Sequence, residues 1–235
     1  MINKFCKINS TSNFPKWDGG DFALWKFFPD DEVLVTGESR LWAYKAAFLQ
    51  YNKDRILKYA QKERIPALLL GGVAVAEVAG TPERAKAYGV LQAYQLIDYF
   101  KNTGNTKSNA TSVGSLAIQL RAAAETLGID PRTLSSTQQL QLANCLLDDD
   151  FNISVVAKHL RELIVYDNPG ITDTVNITDE QLVIAASRYN RGIERNRDDF
   201  VASMSAEIGN PIRDYSSYGR TIIKRRDIIK KILGI

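Results

Sequence analysis

A chain of 235 residues with 45% hydrophobic and 24% charged residues has the balance of a globular protein, and its length allows one large domain or two small ones. Its formal charge of +3 is concentrated in residues 221–235, where Lys224, Arg225, Arg226, Lys230 and Lys231 face only Asp227; the rest sums to about −1, so no broad nucleic-acid-binding surface is indicated. Cys6 and Cys145 are the only thiols; they have no CxxC or metal-like spacing, and one disulfide is allowed but not demanded.

Residues 1–7 lack the apolar run and small-residue cleavage site of a secretory signal, and a polar stretch follows at Asn9 to Asn13. Residues 1–38 are rich in Gly, Pro, Asp and aromatics, with a β-like run at Glu32-Val-Leu-Val-Thr36, so an irregular or short-strand N-terminal cap is expected there. From Ser39 onward apolar spacing predicts helix after helix. The spans are 41–63, 66–79, 82–100, 114–127, 136–148, 153–166, 179–189, 194–208 and 218–233. Thr178-Asp-Glu-Gln181 has capping-box spacing, and Ser136 and Asn152 suit helix N-caps. The pattern as a whole predicts a mainly α fold.

Glu77 is the only charge between Arg64 and Glu83. The uncharged run before it, 65–76, is 12 residues long, too short to span a bilayer and suited to a buried helix. Pro66 fits the first turn of that helix and Gly80-Thr81-Pro82 stop it, which puts Glu77 close to the C-terminal end. Burial and the negative end of the helix dipole both favour the protonated carboxyl, which is the state a general acid needs. The plainer alternative is a partly exposed or Arg-paired glutamate.

Three further segments stand out. Ala110-Thr-Ser-Val-Gly-Ser-Leu-Ala-Ile-Gln119 is a glycine-bearing turn leading into a helix whose first turns place Gln119 on an apolar face. Asp150-Phe-Asn-Ile-Ser-Val-Val-Ala-Lys-His-Leu-Arg161 is a capped amphipathic helix. Ala185-Ala-Ser-Arg-Tyr-Asn-Arg-Gly192 ends an apolar helix in a Tyr-Asn pair before a glycine. Taken singly, Gln119 reads as a packing amide, Tyr189-Asn190 as a helix end and the Ser112-Val-Gly114 turn as a connection.

In order, these segments together with the Glu77 helix resemble the soluble lytic transglycosylase and goose-type lysozyme superfamily, over roughly residues 55–195. The resemblance implies that Glu77 is the catalytic acid. It also implies that Ser112, Gly114 and Gln119 line a sugar-binding groove, and that Tyr189 and Asn190 approach the scissile linkage. The chain departs from the family at Val78, where serine is usual, and in the spacing from Gly114 to Gln119, less compact than Gly-Leu-Met-Gln.

Glycoside hydrolysis with two carboxylates needs a second Asp or Glu at roughly 5–5.5 Å for retention or roughly 6.5–9.5 Å for inversion. Glu83, Asp98 and the run Asp148–Asp150 are available, and each reads equally well as a solvated or capping residue. Without a second carboxylate, the N-acetyl group of the substrate must assist, giving an anhydro-sugar by intramolecular attack.

His159, the sole histidine, shows no legible triad and reads as a surface or packing residue. The segment 127–136 has the look of a helix-turn-helix connection, but the helix after it lacks Arg and Lys and ends in three acids that would repel phosphate, so DNA binding is not expected there. The basic amphipathic C-terminal segment suits packing on the domain first, then a membrane surface or an anionic wall polymer.

The expectation is a lysozyme-like helical domain at 39–235 behind a cap or docking segment at 1–38. It would cleave the glycan strand of peptidoglycan as a muramidase or lytic transglycosylase, without a metal or organic cofactor and without nucleic acid. The competing expectation is a non-catalytic helical module that binds glycan or protein. Lacking a secretory signal, such an enzyme is expected to be made in a bacterial cytoplasm. It would act in the periplasm or cell wall as a lysis protein or a delivered antibacterial toxin, the latter with a secretion carrier and a cognate inhibitor (immunity) protein.

Overall fold

Helices dominate the computed structural model, which describes residues 3–7, 13–17, 19–27, 39–78 and 86–235. In chain order they are α1 (Gly19–Phe27), α2 (Arg40–Tyr51), α3 (Lys53–Glu63), α4 (Ala67–Glu77), a π-helical turn at Lys86–Val90 that runs into α5 (Leu91–Lys101), and the short α6 (Thr106–Asn109). After a hairpin come α7 (Leu120–Thr126), α8 (Ser136–Leu146), α9 (Asp149–Asp167), α10 (Asp179–Arg191), α11 (Arg197–Ser205), α12 (Ser217–Lys224) and α13 (Arg226–Leu233). The hairpin pairs β1 (Ser112–Val113) with β2 (Ile118–Gln119), antiparallel, with Ser112 opposite Gln119. The mainly α fold with a short-strand element thus stands, but the strands are internal. The strand-like run at 32–36 lies outside the described residues, and the N-terminal region contributes the helix α1.

Two long predicted helices are divided. The span 41–63 breaks at Asn52, the buried C-cap of α2, whose side-chain amide adds a second bond to the Phe48 carbonyl already taken by its backbone N–H in the last helical bond. The span 218–233 breaks at Arg225, after which α13 packs on α3 while α12 packs on α10.

Caps explain most helix starts. Thr178 and Gln181 form the expected capping box of α10. At α8 the box is Ser135 with Gln138, one residue before the predicted cap at Ser136. Asn152 does not cap α9, which begins three residues earlier; Asp148 Oδ1 accepts from the Phe151 N–H instead.

The chain forms two compact units, residues 1–52 with 77–156, and 53–76 with 157–235. The described part of 1–38 falls within the first. There, the N-terminal segment is sewn to α8 and α9 by the Cys6–Cys145 disulfide, by Asn3 and Asn13 side-chain amides on the Gln141 and Leu147 carbonyls, and by Phe14 N–H on Asp149. Phe14 also stacks among Tyr44, Phe48 and Tyr51. Leu116, Leu120, Leu142, Leu146 and Ile153 are fully buried in this unit's core.

In the second unit, Ile56, Leu69, Leu160, Ile184, Phe200, Ile222, Ile229 and Leu233 make the core. Burial of Ile222, Ile229 and Leu233 commits the apolar side of the C-terminal helices to packing. Close approach is bought with glycine at Gly219, where a Cβ would stand 2.2 Å from the Val183 carbonyl oxygen. Among the described residues no helix is long and apolar enough to cross a membrane.

Candidate active site

Every residue of α4 from Leu68 to Val75 is buried, because the run lacks any side chain that needs water. Glu77 is the last residue of that helix and is half-buried, and Val78 after it is 2% exposed. The predicted position at a helix C-terminus is therefore the observed one, two residues nearer the end than the span 66–79 implies.

The hairpin gathers Ser112, Gly114 and Gln119, but not as a helix. Gly114 takes φ of +86° and Ala117 φ of +50°, with the Ala117 N–H closing on the Gly114 carbonyl, and these left-handed residues turn the chain back on itself. The Leu116 N–H is then taken by the buried Asn152 Oδ1 at 2.9 Å, which is why Asn152 serves the hairpin instead of capping α9. Gly114 is obligatory: a Cβ would lie 2.3 Å from both Asn152 Nδ2 and the Leu146 oxygen. Gln119 accordingly sits in β2 at the N-cap of α7, half-buried, accepting from Arg121 at 3.3 Å, where the sequence places it on the apolar face of a helix. Ser112 is half-buried opposite it.

Of the candidate second carboxylates, Glu83 lies outside the described residues, while Asp98, Asp149 and one oxygen of Asp148 are engaged by hydrogen-bond donors. Asp98 is 3% exposed and accepts from the backbone N–H groups of Lys107 and Ser108 and from the Thr103 and Ser108 hydroxyls, at 2.7–3.0 Å. Burial pushes its carboxyl up, but those four donors outweigh it and hold it below the usual range. Ser108 and Asn109 pass the network to Gln139, and Gln139 to Gln95. Asp148 caps α9, and buried Asp149 accepts from Ser115 Oγ at 2.6 Å and from Phe14 N–H at 2.7 Å.

Tyr189 and Asn190 stand at the end of α10, in the second unit, with Gly192 at φ of +82° as the C-cap. Tyr189 is half-buried with its ring 5.9 Å from that of His159, which packs there beside Glu162. Asn190 is exposed and lines a cleft of about 560 Å³ with Arg191, Glu194, Arg195, Asn196 and Asp199.

Beneath that turn lies an ion pair that sequence inspection does not reveal. Arg188 is 2% exposed, gives two hydrogen bonds to Asp167, and donates two more to the carbonyls of Ile193 and Arg195. Its guanidinium also lies 4.9 Å from the Tyr166 ring centre and 5.1 Å from that of Phe200. Nothing in the spacing of Asp167 and Arg188 announces this pairing. The cleft residues had a weak signal in the alternating charges of 191–199.

No family model, curated protein or solved structure matches the chain.

Proposed function

We propose that the chain cleaves the glycan strand of peptidoglycan, with Glu77 as general acid and then general base. One observation carries the proposal: a half-buried carboxyl closes a helix whose turns from Leu68 to Val75 are apolar and buried. The order of the motifs along the chain supports it. Ser112, Gly114 and Gln119, and separately Tyr189 and Asn190, are the proposed sugar contacts.

Asp98 and Asp149 are engaged by backbone and hydroxyl donors, and the proposed mechanism uses one protein carboxyl. Glu77 gives its proton to the glycosidic oxygen as the bond from that oxygen to C1 breaks. The carbonyl oxygen of the neighbouring N-acetyl group closes on C1. The 6-hydroxyl then displaces it and returns a proton to the Glu77 carboxylate, leaving an anhydro-sugar; attack by water at the same point would leave a hydrolysed reducing end.

A disulfide in the fold supports action in an oxidising compartment such as the periplasm or cell wall. Delivery as an antibacterial toxin, with a secretion carrier and a cognate inhibitor, is the matching biological context.

Digestion of purified peptidoglycan by wild type and by Glu77→Gln, with products resolved by mass, tests the proposal. The variant should lose activity by about a hundredfold or more. An anhydro product is lighter by one water than a hydrolysed one. Cleavage by the variant near the wild-type rate removes Glu77 from the mechanism. Retention on intact wall by a folded wild type that releases nothing favours the non-catalytic module.

A further inference from the structure

The turn from α10 into α11 is held from below and polar above. Arg188 fixes the carbonyls of Ile193 and Arg195, so the backbone that carries the cleft is anchored to the core. The Arg195 guanidinium lies 3.6 Å from the Tyr215 ring centre and 3.6 Å from Asp199, which orients it without consuming its hydrogen-bond donors. Arg191 spends one nitrogen on the Asp214 carbonyl at 2.7 Å and keeps the rest. Glu194 has neither ion pair nor hydrogen bond among the described residues, and Asn196, although at the N-cap of α11, does not use its side chain to cap.

The charges lining the cleft alternate: Arg191 and Arg195 against Glu194 and Asp199. A polyanion would meet two carboxylates, and a neutral sugar would leave Arg191 and Glu194 without a charged partner among the described residues. The complementary ligand carries both signs at short range, with amide groups for Asn190 and Asn196.

We propose that this cleft binds a short zwitterionic peptide, its free carboxylate on Arg195 and Arg191 and a side-chain amine on Glu194. Given the glycan-cleaving reading on which the identity of the ligand rests, this is the peptide stem attached to the glycan strand. The cleft then selects strands that bear uncrosslinked stems with a free terminal carboxylate. Planar guanidinium recognition of a carboxylate is the chemistry Arg195 is oriented for.

Calorimetric titration with the synthetic stem peptide Ala-γGlu-Lys-Ala, N-acetylated as in the glycan-linked stem, as free acid and as C-terminal amide, tests this. The free acid should bind at least tenfold more tightly than the amide. Arg195→Met, which keeps the apolar stem over Tyr215, should reduce that difference, and Glu194→Gln should weaken the peptide with a free Lys ε-amine but not the form acetylated at that amine. Glu77→Gln should bind like wild type. Equal binding of acid and amide, or no binding of either, would overturn the proposal. Peptide binding without glycan cleavage would leave it standing while removing the catalytic reading; cleavage without peptide binding would do the reverse.

Discussion

Opening the Cys6–Cys145 bridge should cost the fold about 5 kcal/mol, through the loop-closure entropy that returns to the unfolded chain. The bridged residues are 139 apart in sequence. For a loop of that length the entropy restored to the unfolded chain is about 17 cal/mol/K, or about 5 kcal/mol at room temperature. The native side should change little, because Asn3, Asn13 and Phe14 hold the N-terminal segment to Gln141, Leu147 and Asp149 independently of the sulfurs. Urea unfolding with and without reductant measures the effect. Tryptophan fluorescence is the right probe, since Trp17, Trp25 and Trp42 all belong to the first unit. Cys6→Ser is the matching variant, whereas Cys145 is fully buried and its replacement by serine would add a polar group to the core. Reduction should lower the midpoint and raise the denaturant slope, as the unfolded chain expands. Oxidised and reduced midpoints that coincide would refute the assignment of the bridge as a global staple.

Asp98→Asn should destabilise at neutral pH by about 1–3 kcal/mol through the loss of charge-assisted hydrogen bonds. Because the Asp98 carboxyl is held below its ordinary value, its contribution is present above that value and vanishes as pH falls through the folded one, so the gap between wild type and variant should close below about pH 4. Denaturant titrations at stepped pH check it. Gly114→Ala should lower stability by about 1–3 kcal/mol for crowding against Leu146 and Asn152, with a further ~1 kcal/mol for the left-handed backbone, read as a depressed melting temperature. Arg188→Met should cost about 3–5 kcal/mol by stranding Asp167, and adding Asp167→Leu should recover part of that loss, measured by urea unfolding.

Helix content was readable because it depends on local spacing and on caps that lie within four residues. The Thr178–Gln181 box shows this, with donor and acceptor three positions apart and no need for distant partners. The hairpin was not readable. Leu116 to Gln119 has nothing against a helix except Gly114, and what removes the helical option is a hydrogen bond from Leu116 N–H to Asn152, 36 residues on. Asn152 in turn looked like a cap because local pattern cannot show that its side chain is needed elsewhere.

The same division runs through the candidate site. Glu77 was conspicuous because its neighbours in sequence are also the apolar turns of its own helix, so isolation in the sequence became burial of the helix it ends. The carboxylates weighed against it were ambiguous in sequence, and for Asp98 and Asp149 the donors decide it. The acceptors of Asp98 are filled by residues 103–108, and those of Asp149 by Phe14 and Ser115, far off in the chain. A carboxylate held by amide N–H and hydroxyl donors is stabilised as an anion and is poorly suited to giving up a proton, whereas an acid at the negative end of a helix is not stabilised as an anion by that helix. Of the acids raised from the sequence and described in the structure, Glu77 alone stands at the end of an apolar, buried helix, and substitution there is the most discriminating single change.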